Sequence, residues 1–531
     1  MTRIRSLLTV CLVVGFAISA NAETASTTTS HTGKTTSTTS KSKTAASKTT
    51  SASHKTASAG KTAAHSATHS AGTSASSKSR TTTVKGKAHV SHPAMVVHVS
   101  TAVRQQAVTH VETSMTDSAS SPFLYSSALH NFFAALDEQQ DEHGAGAAPE
   151  RTVRILQFGD SHTAADIFTG KMRASLQQQF GDGGLGFQFA GHPFAGYHLA
   201  GSLRSQTSGW LTEGNRFTAL GDGDLGLGGI SISTSGRGES ITLEAPCTTM
   251  QLHFLLQPGG GRLQFSDNGV AMSVIGTDLP GGEAGDTDVT PRAGTFSYSC
   301  SAGEHDFEFT TLDNAPVKLL GIVTQQPGVT YECLGINGAV APLMLRWNQN
   351  LFSDYLRQSA PNLIVLAYGT NESGSSAEHL EDYPEQFAQI VDNLHRIAPE
   401  SSILVLGPAD RAMRAGRRGP WRPYPGTERI IAMQKEVCRT HGCAYWDTRR
   451  RMGGFGSMQQ WVTAGWAQPD RTHLTSTGYR TLADALFEDL MRTYNHYQQQ
   501  PETPLHQSSL HPAAGRGTVA PGSIAQESSN G

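Results

Sequence analysis

The chain has 531 residues, 41 Lys and Arg against 44 Asp and Glu, and a formal net charge of −3, a length that holds roughly two to four domains. Such balanced charge supplies no overall basic field, so a nucleic-acid partner is not indicated. Its six cysteines show no CxxC or Cys/His spacing, which argues against a zinc site, and no metal or other cofactor is expected.

Residues 1–22 have the order of a secretory signal peptide. Arg3 and Arg5 form the basic region, Leu7 to Ile18 the apolar core, and Ala20-Asn21-Ala22 the cleavage site. The apolar run is short for a bilayer span, so a cleaved leader and a periplasmic or secreted protein are expected. Cys11 would leave with the leader. Of the other five cysteines, Cys438 with Cys443 and Cys247 with Cys300 are compatible with disulfides in an exported protein, leaving Cys333 odd. Sequence alone leaves that pairing open.

Residues 23–115 are expected to form a disordered basic linker. From Thr24 to about Ser100 the composition is Ser, Thr, Ala, Lys and His, too polar to offset the entropy of ordering. No acidic residue lies between Thr24 and Glu112. A solvated spacer is the plain reading; a tether resting on an anionic envelope surface is the functional one.

An α/β domain is expected to begin at residues 120–196. Ser121 to Gly144 has helical spacing, Thr152 to Phe158 reads as a buried strand, and Ala164 to Phe180 as an amphipathic helix. Residues 197–325 change character. Short alternating runs such as Ile230 to Thr234, Met250 to Leu256 and Phe307 to Thr311, with Gly- and Pro-rich turns between them, predict an inserted β-sandwich or jelly-roll-like module. The α/β pattern resumes over 326–497. Strands are expected at Tyr331 to Ile336, Leu363 to Tyr368, Ser402 to Leu406 and Cys443 to Trp446. Helices are expected at Pro342 to Arg357, His379 to Ile397, Thr427 to His441 and Ser476 to Tyr494. This alternation predicts a doubly wound parallel sheet. Residues 498–531 read as a disordered tail.

Four short stretches carry chemistry. Gly159-Asp160-Ser161-His162 follows the first strand and lifts Ser161 to the mouth of a helix, where free N–H groups suit an oxyanion. Gly335-Ile336-Asn337-Gly338-Ala339 follows the second strand, and glycine there lets backbone approach a reacting carbonyl. Gly369-Thr370-Asn371-Glu372 brings the Asn371 amide to the same sheet edge. Asp470-Arg471-Thr472-His473 precedes the last helix, its spacing letting one turn present carboxylate and imidazole together. Ester hydrolysis at a serine needs these parts: a nucleophile, a base, a group to orient it, and oxyanion donors.

The four stretches, in this order, resemble the SGNH/GDSL hydrolase family over about Val153 to Phe180 and Val329 to Tyr494. The resemblance implies a flavodoxin-like three-layer α/β/α fold. It also implies Ser161 as nucleophile, His473 as base and Asp470 as its orienting carboxylate. Ser161 N–H, Gly338 N–H and the Asn371 side chain would form the oxyanion hole. His162 stands where leucine is usual and Glu372 where aspartate is usual. Together with the β-insert, this looks like the peptidoglycan O-acetylesterase and O-acetyltransferase branch. The expected partner is then an acylated polysaccharide: peptidoglycan, cellulose or another exopolysaccharide. An acyltransferase would use the same residues, and a non-catalytic glycan-binding or assembly protein is the different-class alternative. Glu372 is expected to hold the loops behind Asn371, Asp160 to support the nucleophile turn, and His162 to pack or cap at the helix start. Arg411 is read as a surface arginine that could also touch substrate. Trp461 and Trp466 are read either as packing or as a sugar platform.

Overall fold

A computed structural model describes residues 99–119, 123–144, 151–214, 220–279, 290–375, 380–416 and 419–499. The expected leader, most of the expected linker and nearly all of the expected tail lie outside the described residues. Helix α1 (Thr101–Ser118) comes first, with Ser100 Oγ accepting from Val103 N–H as its N-cap. This corrects the linker boundary at residue 115. Ala107, Val111 and Met115 recur at helical spacing and are buried, so this stretch carries an apolar face. The short strand β1 (Phe123–Leu124) and helix α2 (His130–Gly144) follow.

Five parallel strands and one antiparallel edge form the central sheet. In chain order they are β1, then β2 (Thr152–Gly159), and, beyond the nine strands of the insert (β3 to β11), β12 (Gly328–Gly335), β13 (Leu363–Ala367), β14 (Ser402–Leu406) and β17 (Ala444–Trp446). Their spatial order is β1-β17-β14-β13-β2-β12, with β1 antiparallel to β17. Counting only the parallel strands, this is the flavodoxin-like order, whose switch point lies between β2 and β13.

The strands are apolar on both faces because both faces are covered. On one side Leu156, Phe158, Ile364, Leu366, Ile403 and Val405 join the core under α5 (Gln349–Ser359), α6 (Tyr383–Ile397) and α7 (Pro425–His441). On the other, Val153, Ile155, Leu363, Val365 and Leu404 meet α1, α2, α4 (Ile167–Phe180), α9 (Met458–Ala464) and α10 (Ser476–Gln498). Each fully buried Leu, Ile or Phe contributes about 1.5–3 kcal/mol of transfer free energy to this three-layer arrangement.

The insert begins at β3 (Gly186–Gln188), eleven residues before the expected boundary at 197. Its other strands are β4 (Leu203–Gln206), β5 (Leu211–Glu213), β6 (Ser231–Thr234), β7 (Ser240–Leu256), β8 (Arg262–Asp267), β9 (Val270–Gly276), β10 (Arg292–Thr311) and β11 (Val317–Gln325). They form one continuous antiparallel sheet in the order β5-β6-β11-β7-β10-β8-β9, with β3 on β11 and β4 on β7. Runs that the sequence divides into separate short strands merge into the long β7 and β10. A bulge between Ser299 and Gly303 shifts their register, and burial in β7 switches parity there. Ile241, Leu243 and Cys247 before the shift, and Met250, Leu252 and Phe254 after it, all face one core.

The insert is fixed to the α/β layers by buried polar contacts. Glu332 on β12, fully buried, pairs with Arg154 on β2 through two bonds of 2.8 and 2.9 Å, and also accepts from Phe187 N–H on β3. Tyr355 on α5 donates to Phe254 O, and its ring stacks on His253 at 4.4 Å.

Candidate active site

Three strand ends and one loop converge on Ser161. The β2 strand stops at Gly159, where a Cβ would lie 2.1 Å from Thr163 Oγ1 and 2.9 Å from Ala367 O, so only glycine lets the turn close. Asp160 then caps the one-turn helix α3 (Ser161–Ala164), its Oδ1 accepting from His162 N–H at 2.9 Å. Ser161 is the first residue of that turn, so its N–H precedes any intrahelical acceptor.

At the end of β12, Ile336 N–H donates to Gly159 O, binding the second loop to the first. Gly338 turns there with φ +76°. After β13, Asn371 Nδ2 donates to Ala339 O at 2.9 Å, which fixes the amide beside Gly338. Glu372 organises both loops from beneath. It is 3% exposed, and its oxygens accept from Ala341 N–H (2.7 Å) and Gly369 N–H (2.9 Å). Burial raises its carboxyl to about 7 against the pull of those bonds.

The fourth segment lies between α9 and α10. Asp470 Oδ1 accepts from the N–H groups of Thr472 and His473, and Oδ2 lies 2.7 Å from His473 Nδ1. On the far side of the ring, His473 Nε2 lies 2.9 Å from Ser161 Oγ. Partial burial disfavours the Asp470 carboxylate, but the His473 bond and the two N–H donors outweigh it and hold its carboxyl below the usual range. Arg471, between them, takes φ +57°, the left-handed region a non-glycine residue enters at a cost. The geometry is a hydroxyl, an imidazole and a carboxylate in succession, with N–H donors from Ser161, Gly338 and Asn371 on adjoining loops. Such a set can transfer an acyl group through serine.

His162 shares a hydrogen bond of 2.9 Å with Tyr479 Oη and stacks on His473 at 5.2 Å. Burial foremost lowers its pKa, which favours the neutral ring. Its Nε2 and Asp160 Oδ2 are both buried without a partner, and both residues line a cavity of about 60 Å³ beneath the site. Trp461 is completely buried and donates to Met452 O, and its ring meets Trp466 edge-on at 5.7 Å. Trp461 is therefore packing under the loop. Arg411 is only half on the surface: it donates to Thr370 O and Ser373 Oγ and covers the Tyr424 ring.

Sequence reading missed a hairpin beside this site, formed by β15 (Ala412–Arg414) and β16 (Trp421–Pro423). Its signal was present: five arginines within residues 411–422. Among the described residues no group of three or more His, Cys, Asp or Glu could hold a metal ion, and no helix is long and apolar enough to cross a membrane.

Residues 299–481 match the family described as GDSL-like lipase/acylhydrolase. The match begins inside the insert, so the Gly159-Asp160-Ser161 block lies upstream of it. A solved structure described as "Peptidoglycan O-acetylesterase in action" is 25% identical, covering 68% of this chain and 96% of its own, with a TM-score of 0.55. Two family two carbohydrate esterases are far more distant. That of Cellvibrio japonicus is 10% identical (56% and 99% covered, TM-score 0.24), and that of Clostridium thermocellum with cellohexaose is 11% identical (54% and 99% covered, TM-score 0.24). No curated protein sequence matches the chain.

Proposed function

We propose that this chain, an ester-cleaving enzyme of the SGNH branch of the GDSL-like lipase/acylhydrolase family, removes O-acetyl groups from an exported polysaccharide, with peptidoglycan as the leading substrate. One observation carries the reading: Ser161 Oγ, His473 and Asp470 stand in hydrogen-bond succession at 2.9 and 2.7 Å. The 25% identity to a peptidoglycan O-acetylesterase across nearly all of that chain supports the glycan.

In this reading Ser161 Oγ attacks the acetyl carbonyl while His473 Nε2 takes its proton. Asp470 holds the ring in the right tautomer and stabilises the imidazolium. The oxyanion accepts from Ser161 N–H, Gly338 N–H and Asn371 Nδ2. Collapse expels the sugar oxygen, which takes the proton from His473, and leaves acetyl on Ser161. Water, deprotonated by the same His473, then releases acetate and restores the hydroxyl. Export to the periplasm or beyond follows from the leader-like residues 1–22, and the basic residues 23–98 would suit contact with an anionic envelope surface.

The test is acetate release from O-acetylated peptidoglycan and from acetylated cellulose and xylan, comparing the wild type with Ser161→Ala. Release by the wild type alone supports the reading. Equal release by both proteins overturns the assignment of Ser161.

A further inference from the structure

The turn that carries Ser161 is too short to hold itself. Helix α3 is four residues long, less than an isolated helix needs to persist, so its place is fixed from outside. Asp160 caps its start. Its middle is seated on β2 and β12: a Cβ on Gly335 would lie 2.3 Å from Ala164 N, the Cys333 thiol donates to Thr163 O at 3.1 Å, and Gln157 Nε2 donates to Thr163 Oγ1 at 2.9 Å. Its end is held by Asp166.

Asp166 is 3% exposed and takes φ +50°, a left-handed conformation that a non-glycine residue enters at a cost. Its N–H closes the turn onto Thr163 O at 3.0 Å. The carboxylate offsets that cost: Oδ1 accepts from Thr169 Oγ1 at 2.7 Å, and Oδ2 accepts from Arg173 Nη2 at 2.7 Å and from Ala200 N–H at 2.9 Å. Arg173 is buried as well, and its other terminal nitrogen donates to Tyr331 O on β12. Ala200 belongs to the insert, on the stretch between β3 and β4. The residue before it, Leu199, is 2% exposed and joins Cys333 in a small apolar cluster with Leu185 and Ala245. Two adjacent residues of the insert thus bear on two supports of the same turn. One does so through a hydrogen bond to a buried carboxylate, the other through apolar packing beside the thiol that holds Thr163.

We propose that Asp166 is a positioning residue for Ser161, and that the insert, through Ala200 N–H and Leu199, is part of the nucleophile's mount. Acyl transfer then needs the insert even for an ester that carries no glycan. The mount is read from contacts alone; its use in acyl transfer rests on the esterase reading above.

The test uses the full-length protein with two substrates, 4-nitrophenyl acetate and O-acetylated peptidoglycan, and three variants. Asp166→Asn keeps a residue that tolerates the left-handed turn and removes the charge. Ala200→Pro removes the N–H donor. Phe309→Leu is the control, since it loosens the core of the insert away from Leu199 and Ala200. Each is assayed at a temperature where it is folded. Ser161 N–H serves the oxyanion in both acylation and deacylation, so a displaced turn lowers kcat and leaves KM within about threefold. The expected fall in kcat is about ten- to hundredfold in Asp166→Asn and Ala200→Pro, by the same factor on both esters, with no such fall in Phe309→Leu. A change confined to KM for peptidoglycan would make the insert a glycan-holding module only and overturn the proposal. Unchanged kcat in both variants, or an equal fall in the control, also overturns it. A second readout needs no turnover: amide hydrogen exchange of the peptide spanning residues 161–166, followed by mass spectrometry. Exchange faster by about tenfold or more in Asp166→Asn and Ala200→Pro than in the wild type and the control sustains the mount even if the wild type cleaves no ester, in which case the esterase reading alone fails. Unchanged exchange in both variants overturns the mount.

Discussion

The imidazole rings of His162 and His473 are stacked, with centroids 5.2 Å apart and planes inclined by 30°. His162 is held in that place by Tyr479 Oη. Being neutral, it can brace the base without repelling the imidazolium that forms on His473. His162→Leu removes the stack and the hydrogen bond with Tyr479 Oη. The expected result is a fall in kcat of up to about tenfold, matching a stacking energy of roughly 0.5–1.5 kcal/mol, with KM little changed and a lower Tm. Unchanged kcat and Tm would contradict this role.

Glu372 ties stability to pH. Its folded-state carboxyl titrates at about 7, against an ordinary value of 4.5, so between these values the native state holds a proton that the unfolded chain has lost. This contribution is fully present below about pH 4.5, declines as pH rises, and is gone above about pH 7. Its full size is about 3 kcal/mol. Denaturant unfolding at pH 5 and pH 8 should show the wild type losing more stability than Glu372→Gln over that interval. Parallel losses would contradict the assignment.

Glu332 joins three strands, being paired with Arg154 on β2 and bonded to Phe187 N–H on β3. Glu332→Ala leaves a buried guanidinium uncompensated. The expected loss is about 3–5 kcal/mol in equilibrium unfolding. A loss under about 1 kcal/mol would show that the pair is dispensable.

The thiols report on the compartment. Cys438 and Cys443 have sulfurs 2.7 Å apart, and Cys247 and Cys300 have theirs 3.6 Å apart, while Cys333 is buried elsewhere, its thiol donating to Thr163 O. All five are thiols in this structure. If the chain is exported to an oxidising compartment, titration of unfolded mature protein from that source should find one free thiol, that of Cys333. Five free thiols would count against oxidation of these pairs there.

Much of the central sheet was legible because its strands are continuous apolar runs and its helices have clear apolar faces. Ile155 to Phe158 and Ile364 to Leu366 announce two-sided burial, and the four site stretches fall at the strand ends and before the last helix. The rest depends on contacts distant in sequence. Nothing local marks β7 and β10 as long bent strands, since Pro246 and the Ser299–Gly303 bulge read as turns until each strand is paired with the other. Helix α1 follows a polar tract, and its face of Ala107, Val111 and Met115 is small and widely spaced. Gln349–Ser359 is shorter than the expected helix because Asn348 caps it, accepting from Asn350 and Leu351 N–H. The role of Glu372 was legible from its neighbour Asn371, whereas the hairpin of Arg414 and Trp421 was marked only by a run of arginines. Its arginines become a cluster only when Arg471 folds back over the indole.

The most direct measurement is intact-mass analysis of the full-length protein mixed briefly with a small acetyl ester and quenched in acid. The account predicts a transient species heavier by one acetyl group, mapped to Ser161 by peptide sequencing, absent in Ser161→Ala and slower to form in His473→Ala. Acetate production with no acyl-protein in the wild type, or acetyl found on another residue while Ser161→Ala retains turnover, would contradict it.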